Sequence, residues 1–245
     1  MTTQSTRHDK WQDYDRFQQK PALLEYYHSI NFNNVAAIQS LGRPPFQRAV
    51  DLAAGCGTST HPLRQVARSV IGVDASRQLI RIARGQNTDP HVRFLCKRAE
   101  DYQPREPVEL VCASWLLNYF HAETELVSFV KRIHSMLTAD GCVSFVVPSA
   151  AFFSPQVQRV ARELYDFEVA PLSDNGSSTV GIFSYANEWI KTTVWQPLHL
   201  MRICRPWLDL REWDVKGTLV RENLLPRLDF EPPYTVLYGT KRGEA

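Results

Sequence analysis

The stretch VDLAAGCGTST, residues 50–60, places two glycines and a run of hydroxyl side chains directly after a short, largely apolar run. Gly55 and Gly57 can adopt backbone angles that other residues avoid, and they let a ligand lie against the peptide itself. In an open α/β sheet, ligands bind beyond the carboxyl ends of the strands, where such a turn meets a helix. The stretch therefore predicts a ligand-binding turn after the first strand of a parallel sheet.

The hydroxyl residues of this turn narrow the range of ligands. A dinucleotide fingerprint would read GxGxxG, whereas Thr58, Ser59 and Thr60 stand where the third glycine would fall. The sequence also lacks the GxxxxGK[ST] loop that holds nucleotide phosphates. A tight strand-to-helix connection without any ligand is the alternative for this turn.

From Arg48 onward, short apolar runs alternate with amphipathic stretches, which is typical of βαβ units and a largely parallel sheet. The strands predicted from these runs cover residues 48–54, 69–75, 92–99, 108–117 and 141–149. The helices predicted from apolar spacing cover residues 58–68, a segment that begins at an N-cap at Ser76, and residues 121–137.

Two segments lie outside this alternation. Residues 10–41 are helical in pattern and rich in aromatic side chains. The elements expected after the fifth strand are a helix at 155–166, a loop at 174–178, a hairpin or extended cover at 179–196, and a strand at 232–242 with residues 210–220 as its partner.

The composition argues against several classes of protein. With 245 residues, 44% of them hydrophobic, the chain has the size and makeup of one globular domain. The 28 basic and 26 acidic residues give a formal net charge of +2, which is no electrostatic signature for nucleic acid. No uncharged apolar run approaches the roughly 18 residues that span a membrane, and the polar first residues differ from a signal peptide. We therefore expect a cytoplasmic protein without nucleic-acid or membrane partners.

The five cysteines and seven histidines predict neither a disulfide framework nor a metal site. The cysteines form no CxxC pair, and three of them lie within predicted strands, which favours reduced thiols in the core. The histidines show no HxxxH spacing of the kind that metal sites use.

Asp74 ends the second predicted strand, 23 residues after Asp51. A carboxylate at this strand tip is placed to accept the hydrogens of both ribose hydroxyl groups. The alternative is an aspartate that caps the next helix, although Ser76 already stands at the N-cap position.

Five stretches follow one another in the chain: VDLAAGCGTST, VIGVDAS, KRAEDYQP, VELVCASWLLNYF and HSMLTADGCVSFVVP. In order and spacing they resemble the successive motifs of class I S-adenosylmethionine-dependent methyltransferases, over roughly residues 48–148. LVCASWLLNYF and the later PPYTVLYGTK are similar to small-molecule methyltransferases of the toxoflavin-biosynthesis type. The resemblance implies a Rossmann-like, doubly wound α/β fold with a mostly parallel seven-stranded sheet, a helical amino-terminal cap and an insertion after strand five.

On this basis we expect a single methyltransferase domain, residues 1–245, that binds S-adenosyl-L-methionine and a small-molecule substrate. Its expected segments are a helical cap (1–45), a cofactor-binding core (46–149), an insertion that covers the substrate (150–208) and the C-terminal strands (209–245). The oligomeric state is left open between a monomer and a homodimer.

The resemblance also implies roles for individual residues. Asp51 would support the glycine turn and the amino group of the cofactor's methionine part, and Asp74 would hold the ribose. The other implied cofactor residues are Ala53, Gly55 and Gly57 along the methionine part, Ala75 beside Asp74, Ala99 and Glu100 at the adenine edge, and Ser114 at the sulfonium end.

The sequence departs from the family pattern at two positions. Ala53 replaces a usual glycine, and we expect this to cost little because alanine is nearly as small. Arg98 stands where the family often has an aspartate that accepts from the adenine amine, and an arginine has only donors. Adenine recognition is therefore expected from Glu100, Asp101 or a backbone carbonyl.

Methyl transfer from a sulfonium is an in-line displacement with an activated donor, so the protein must mainly align the acceptor and exclude water. Trp and Tyr offer flat apolar faces with a polar tip, which suits a planar acceptor. The candidate acceptor-lining residues are Tyr14, Tyr26, Trp115, Asn118 and Tyr119, with a place in the core, or a helix cap for Asn118, as the alternative. His28 and His121 are candidate general bases, needed only if the acceptor must lose a proton.

These features together predict methyl transfer to nitrogen or oxygen of a small, heteroaromatic or secondary metabolite. One alternative is an enzyme of the same fold that uses the charge of the cofactor for a rearrangement or cyclisation. Another is a non-catalytic interaction module. A nucleic-acid methyltransferase is less favoured, because SWLL occupies the place of an NPPY-type tetrapeptide after strand four. Protein methylation stays open.

Overall fold

The computed structural model describes residues 21–165, 167–185, 188–221 and 232–243. Its helices are α1 (Pro21–Gln39), α2 (Arg77–Gln86), α3 (Glu123–Met136), α4 (Pro155–Val160), α5 (Pro197–Cys204) and α6 (Val215–Arg221). Short 3₁₀ helices cover His61–Gln65, Leu117–Tyr119 and Ala150–Phe153, and a π-helical turn covers Ala161–Tyr165. The strands are β1 (Phe46–Leu52), β2 (Ala67–Asp74), β3 (Val92–Cys96), β4 (Val108–Ser114), β5 (Leu137–Pro148), β6 (Glu168–Asp174), β7 (Ser178–Tyr185), β8 (Glu188–Trp195), β9 (Leu208–Glu212) and β10 (Tyr234–Lys241).

The main sheet has seven strands in the order β3-β2-β1-β4-β5-β10-β9. The first five strands are parallel to one another, and β10 runs antiparallel between β5 and β9. β1 and β4 are buried over most of their length, which explains their nearly continuous apolar sequences. The predicted Rossmann-like, mostly parallel seven-stranded sheet is confirmed.

The strand order reverses at β1, because β2 and β3 lie on one side of it and β4 and β5 on the other. In open α/β sheets this switch point leaves a crevice outside the carboxyl ends of the strands. Asp51 on β1 is paired with Gly72 on β2 and with Cys112 on β4, so the ends of these three strands lie side by side.

The segment after β5 forms a separate three-stranded antiparallel sheet in the order β6-β7-β8. The predicted hairpin at 179–196 corresponds to β7 and β8, and the predicted helix at 155–166 to α4 and the π-helical turn. Strand β6 was not predicted from the sequence, because its residues are mostly exposed and include Pro171. A proline is tolerated on an edge strand of this kind but weakens the strand pattern in the sequence.

Two predicted elements were wrong in extent. The helix expected at 58–68 is only the 3₁₀ helix His61–Gln65, and β2 already begins at Ala67. The side chains of Ser59 and Thr60 bond to Asp51 below the turn, and Gly57 has a φ of +93°, so a regular helix cannot start there.

The partner of the last strand is shorter than the expected 210–220. It is β9, which ends at Glu212, and α6 follows it. The carboxylate of Asp214 accepts a hydrogen bond from the backbone of Gly217, and this bond favours a helical turn over a longer strand.

Helix α1 is fixed to the main sheet by buried polar contacts. The hydroxyl of Tyr234 on β10 lies 3.0 Å from Ser29 Oγ and accepts a hydrogen bond from Asn33 Nδ2 at 3.1 Å. Asn33 Oδ1 in turn accepts from Trp213 Nε1 at 3.2 Å, and Ser144 on β5 donates to Asn34. These contacts set the position of the helical cap over the edge of the crevice.

All five cysteines are free thiols, and Cys112, Cys142 and Cys204 are buried. Cys96 differs from the expected core position, because it is exposed on the edge strand β3. Among the described residues, no group of three or more His, Cys, Asp or Glu side chains could hold a metal ion. None of the described helices is long and apolar enough to cross a membrane.

Candidate functional site

A cleft opens at the carboxyl ends of β1, β2 and β4, at the switch point of the sheet. Seven of the nine predicted cofactor residues line it: Ala53, Gly55, Asp74, Ala75, Ala99, Glu100 and Ser114. The two others lie in the same turn without lining the cleft: Asp51 is fully buried at the end of β1, and Gly57 is packed against Phe94. The structure thus brings together residues that are up to 63 positions apart in the sequence.

The glycine turn is held in an unusual backbone conformation. Gly55 and Gly57 have φ angles of +55° and +93°, and a Cβ atom on Gly57 would lie 2.8 Å from the ring of Phe94. Gly57 therefore needs to be glycine both for its backbone angle and for the close approach of the ring.

Ala53 also has a positive φ, +63°, so the cost of replacing glycine here is not decided by side-chain size, as the sequence analysis assumed. The side chain is small enough, but the left-handed backbone brings its Cβ too close to the following carbonyl oxygen. The cost of this alanine therefore comes from the backbone and not from its size.

Asp51 is a buried carboxylate with an incomplete set of hydrogen bonds. Its Oδ2 accepts from Ser59 Oγ and Thr60 Oγ1, both at 2.7 Å, while its buried Oδ1 has no partner in the structure. The pKa of Asp51 is raised to about 6, mainly by burial and to a smaller extent by the charge of Asp74, while the two hydroxyl bonds act in the opposite direction. A cation close to the turn would stabilise the charged form.

Asp74 connects the tip of β2 to the glycine turn. Its Oδ2 accepts from the backbone N–H of Gly55 at 2.9 Å, and its Oδ1 accepts from the N–H of Ser76 at 2.8 Å. The predicted N-cap is confirmed, because Ser76 Oγ accepts from the N–H of Leu79. Each carboxylate oxygen of Asp74 has a second lone pair, so this side chain can also accept from ligand hydroxyl groups in the cleft.

The far end of the cleft contains Ala99 and Glu100. Arg98 lies 3.2 Å from Glu100 and 3.8 Å from Asp101, so the basic residue that departs from the family pattern pairs with both carboxylates proposed for adenine. Glu100 is directed to the cleft wall in this arrangement, whereas Asp101 is exposed and does not line the cleft.

The predicted acceptor-lining residues divide into three groups. Trp115 and Tyr119 line the cleft. The ring of Tyr26 packs 6.4 Å from that of Trp115 without lining the cleft, and Asn118 is buried with its Nδ2 bonded to Thr192. Tyr14 lies outside the described residues.

Trp115 differs from an ordinary wall residue in two ways. It has a φ of +57°, which is uncommon for a bulky side chain, and its buried Nε1 has no partner in the structure. Its ring also packs 6.1 Å from that of Phe152, on the segment after β5. Aromatic side chains from three separate parts of the chain therefore meet beside Ser114.

Neither candidate base is among the described residues that line the cleft. His28 is exposed on α1. His121 is partly buried, with its Nδ1 2.9 Å from Thr193 Oγ1. A role for either histidine in proton transfer stays a prediction.

Several cleft residues were missed by the sequence analysis. Tyr27, Ile30 and Asn31 of α1 line the cleft, and Asn31 Nδ2 donates to the carbonyl of Thr58 at 2.9 Å. Their spacing along one helix face was a usable signal, since residues three and four apart share a face. Leu116 and Phe120 also line the cleft, but their apolar side chains cannot be distinguished from core residues in the sequence.

The fold and the cleft define the class: a Rossmann-like domain of the type found in methyltransferases. Residues 49–141, which include the glycine turn and most of the parallel strands, match the family described as a methyltransferase domain. The resemblance of the sequence motifs to class I S-adenosylmethionine-dependent methyltransferases is thereby confirmed.

Among curated proteins, the ubiquinone biosynthesis O-methyltransferase of Bradyrhizobium diazoefficiens is 29% identical over 110 residues. The match covers 44% of this chain and 41% of that protein, so the chain spans about two fifths of the curated relative it matches.

Solved structures show the same fold over nearly the whole chain. A protein from Pyrococcus horikoshii OT3 has a TM-score of 0.68 at 15% identity, covering 94% of this chain and 99% of that one. The 1,6-didemethyltoxoflavin-N1-methyltransferase of Burkholderia thailandensis, with 1,6-didemethyltoxoflavin and S-adenosylhomocysteine bound, has a TM-score of 0.59 at 15% identity. That match covers 96% of this chain and 85% of the other. At these identities the likeness establishes the fold.

Proposed function

We propose that the protein is an S-adenosylmethionine-dependent methyltransferase (EC 2.1.1) that methylates nitrogen or oxygen of a small, heteroaromatic or secondary metabolite. The observation that carries the proposal is the pairing of a bare glycine turn with carboxylates at the ends of two adjacent strands, Asp51 and Asp74. The names of the Burkholderia and Bradyrhizobium relatives support the small-molecule substrate.

The residues of the cleft fit the chemistry of this cofactor. Asp51 has a buried carboxylate oxygen without a donor, which suits a nearby ammonium group. Asp74 lines the cleft at the tip of β2, where a carboxylate can accept from ribose hydroxyls, and the glycine turn leaves room for a ligand against the backbone. We assign Ala53, Gly55 and Gly57 to the methionine part, Ala75 to the ribose side, Ala99 and Glu100 to the adenine, and Ser114 to the sulfonium end.

The bound cofactor would supply an activated methyl group, so the chain itself needs to bind, orient and exclude water. Reacting atoms must be held about 3–3.5 Å apart and in line. Trp115 and Tyr119, with Tyr26 and Phe152 packed beside Trp115, form an apolar enclosure that suits a planar acceptor. Among the described cleft-lining residues, Tyr27 and Tyr119 are the titratable side chains apart from Asp74 and Glu100. An acceptor that loses its proton readily therefore fits this cleft best.

We further propose that residues 46–149 bind the cofactor, and that residues 1–45 and 150–208 enclose the acceptor ahead of the C-terminal strands, 209–245. The protein would act in the cytoplasm as a monomer or homodimer, on a small molecule and without a nucleic-acid partner. The balanced charge of the chain supports the last point.

Calorimetric titration with S-adenosylmethionine and S-adenosylhomocysteine tests the proposal. Replacing Asp74 by alanine should raise the dissociation constant by more than about tenfold, because charge-assisted bonds to the ribose are lost. The matched control is Asp209→Ala, which removes an exposed carboxylate on β9 that pairs with Arg242. Absence of binding by the unmodified protein would reject the proposed function, and an unchanged Asp74→Ala would remove Asp74 from the ribose site.

The mass of the product distinguishes methyl transfer from a rearrangement or cyclisation that uses the same cofactor. Methyl transfer adds one CH2 to the mass of the acceptor and releases S-adenosylhomocysteine. A product that is rearranged or cyclised without this gain would show that the cofactor serves another reaction.

A further inference from the structure

The segment that follows β4 forms one wall of the cleft. Residues 116–121 are called the wall loop here, and three of them, Leu116, Tyr119 and Phe120, line the cleft. Internally the loop has one short 3₁₀ turn, with backbone bonds from Tyr119 to Leu116 at 3.0 Å and from Phe120 to Leu117 at 3.3 Å. A 3₁₀ turn has poorer hydrogen-bond geometry than an α-helix, and this one covers half of the loop, so contacts from outside the loop also set its conformation.

Strand β8 of the small sheet supplies such contacts. Thr192 Oγ1 accepts from Asn118 Nδ2 at 3.1 Å, and Thr193 Oγ1 lies 2.9 Å from His121 Nδ1. Trp195 Nε1 donates to the carbonyl of Phe120 at 3.1 Å. These three bonds join positions that are 72 to 75 residues apart in the sequence.

The geometry of β8 explains how adjacent residues can reach the same loop. Successive side chains of a strand point to opposite faces of the sheet. Both Thr192 and Thr193 nevertheless bond to the wall loop, and β8 is the outer strand of the order β6-β7-β8. The wall loop therefore lies along the outer edge of β8, where it can contact side chains from both faces of the small sheet.

β8 is itself well anchored. It pairs with β7 from Ser178 opposite Trp195 to Tyr185 opposite Glu188. At its end, the ring of Trp195 stacks on His199 of α5 at 5.8 Å with an interplanar angle of 3°, and His199 Nε2 lies 3.4 Å from Glu123 at the start of α3. The strand can thus act as a fixed support for the loop.

We propose that β8 is a positioning element of the acceptor site, in which Thr192, Thr193 and Trp195 hold the wall loop in its cleft-forming conformation. The assignment to the acceptor site rests on the proposed function. The positioning itself does not, because it concerns contacts within the chain itself. None of the three side chains is among the described residues that line the cleft, so they act through the loop.

Hydrogen–deuterium exchange of the full chain, read on the peptide that contains the wall loop, tests the proposal. In Thr193→Val the backbone amides of residues 119–121 should exchange about tenfold faster than in the unmodified protein, because a supporting bond is lost. Thr193→Ser keeps the hydroxyl and should restore slow exchange. Trp195→Phe keeps a ring against His199 but removes the N–H, and should also speed exchange.

The matched control is Thr179→Val on β7. The hydroxyl of Thr179 bonds to Asp174 within the small sheet and does not reach the wall loop. This variant should leave exchange of the loop unchanged. In all variants, peptides from β1 and β2 report on the core, and their exchange should also be unchanged.

Three results would overturn the proposal: unchanged loop exchange in both Thr193→Val and Trp195→Phe, failure of Thr193→Ser to restore slow exchange, or an equal acceleration in Thr179→Val. Titration of the unmodified protein with S-adenosylhomocysteine separates the two hypotheses. Lack of binding together with accelerated loop exchange would reject the proposed function while β8 kept its positioning role.

Discussion

The glycine turn and the wall loop both line the cleft, yet different kinds of contact hold them. The turn depends on backbone geometry and on Asp51 and Asp74, which accept hydrogen bonds from donors between residues 55 and 76. The wall loop depends on side chains of β8 that are more than 70 residues away. These hydrogen bonds of Asp51 and Asp74 are local in the sequence, whereas the bonds between the wall loop and β8 form only when distant elements have packed. Substitutions in the turn should alter ligand binding as well as the stability of the protein. Substitutions around the wall loop should alter the shape of the cleft and the stability of the protein.

The largest effect is expected from Gly57→Ala, which attacks the backbone geometry of the turn. The positive φ and the clash with Phe94 should together lower the free energy of unfolding by about 3 kcal/mol. Denaturant titration measures this loss. The control is Gly176→Ala, with a φ of +77° but no atom within 4 Å of the added Cβ, which should lose only about 1 kcal/mol. Equal losses in the two variants would show that the contact with Phe94 is unimportant.

Asp51→Asn sharpens the comparison, because it should improve stability at the cost of binding. The pKa of Asp51 is raised to about 6 in the folded protein, so folding is favoured while the group is protonated. This contribution is complete below about pH 4 and is lost as the pH rises through about 6. At pH 8 the asparagine variant should be more stable than the unmodified protein by about 2–3 kcal/mol, and the difference should vanish near pH 4.

Thermal unfolding across this pH range, without ligand, measures the effect of Asp51→Asn. The control is Asp209→Asn, which makes the same replacement at an exposed carboxylate. A gain that persists at pH 4 would contradict the role of the buried charge. The same variant should bind S-adenosylhomocysteine more weakly if Asp51 supports the cofactor's amino group.

Tyr234→Phe tests another contact between distant parts of the sequence, the one that joins β10 to α1. It removes the hydroxyl that bonds to Ser29 and Asn33, and should lower the free energy of unfolding by about 1 kcal/mol. Affinity for S-adenosylhomocysteine should be unchanged, since the turn is intact. Tyr238→Phe on the same strand is the control, because its hydroxyl takes no part in this network. A large loss of affinity in Tyr234→Phe would show that ligand binding also depends on contacts between distant elements.

Ala53→Gly should give the smallest effect, in the opposite direction. Glycine relieves the left-handed backbone but is more flexible in the unfolded chain, so a net stabilisation of about 0.5 kcal/mol is expected. Chemical denaturation of the two proteins measures it. A destabilised glycine variant would mean that the methyl group of Ala53 contributes more by packing than its backbone loses.

The same division explains what could be predicted from the sequence. The strands of the core have continuous apolar runs and β2 ends in Asp74, so the sheet and most of the turn could be derived from local pattern. The start of β2 was harder, because the hydroxyls of Ser59 and Thr60 bond to Asp51 and replace the helix that spacing alone indicates. The spacing of apolar residues does not show that hydroxyl side chains will bond to a buried carboxylate and so prevent a helix.

The wall of the cleft was predicted less completely. Trp115 and Tyr119 line it as expected, but Asn118 is buried against β8, where only the tertiary structure provides its partner Thr192. Tyr26 and Tyr27 are adjacent in the sequence, and which of them lines the cleft depends on how α1 is rotated over β10. The aromatic residues in the sequence indicate that the cleft has an aromatic wall, but they do not show which of them line it.

The placement of β10 inside the main sheet has a consequence for biosynthesis. Tyr234, the first residue of this strand, bonds to Asn33, which the ribosome makes 201 residues earlier. At about 5–20 residues per second, α1 emerges and waits about 10–40 s for its partner. During translation the nascent chain can assemble the glycine turn first, while the enclosure around Trp115 must form after synthesis of β10. The newly made protein should therefore complete its glycine turn before the aromatic enclosure around Trp115.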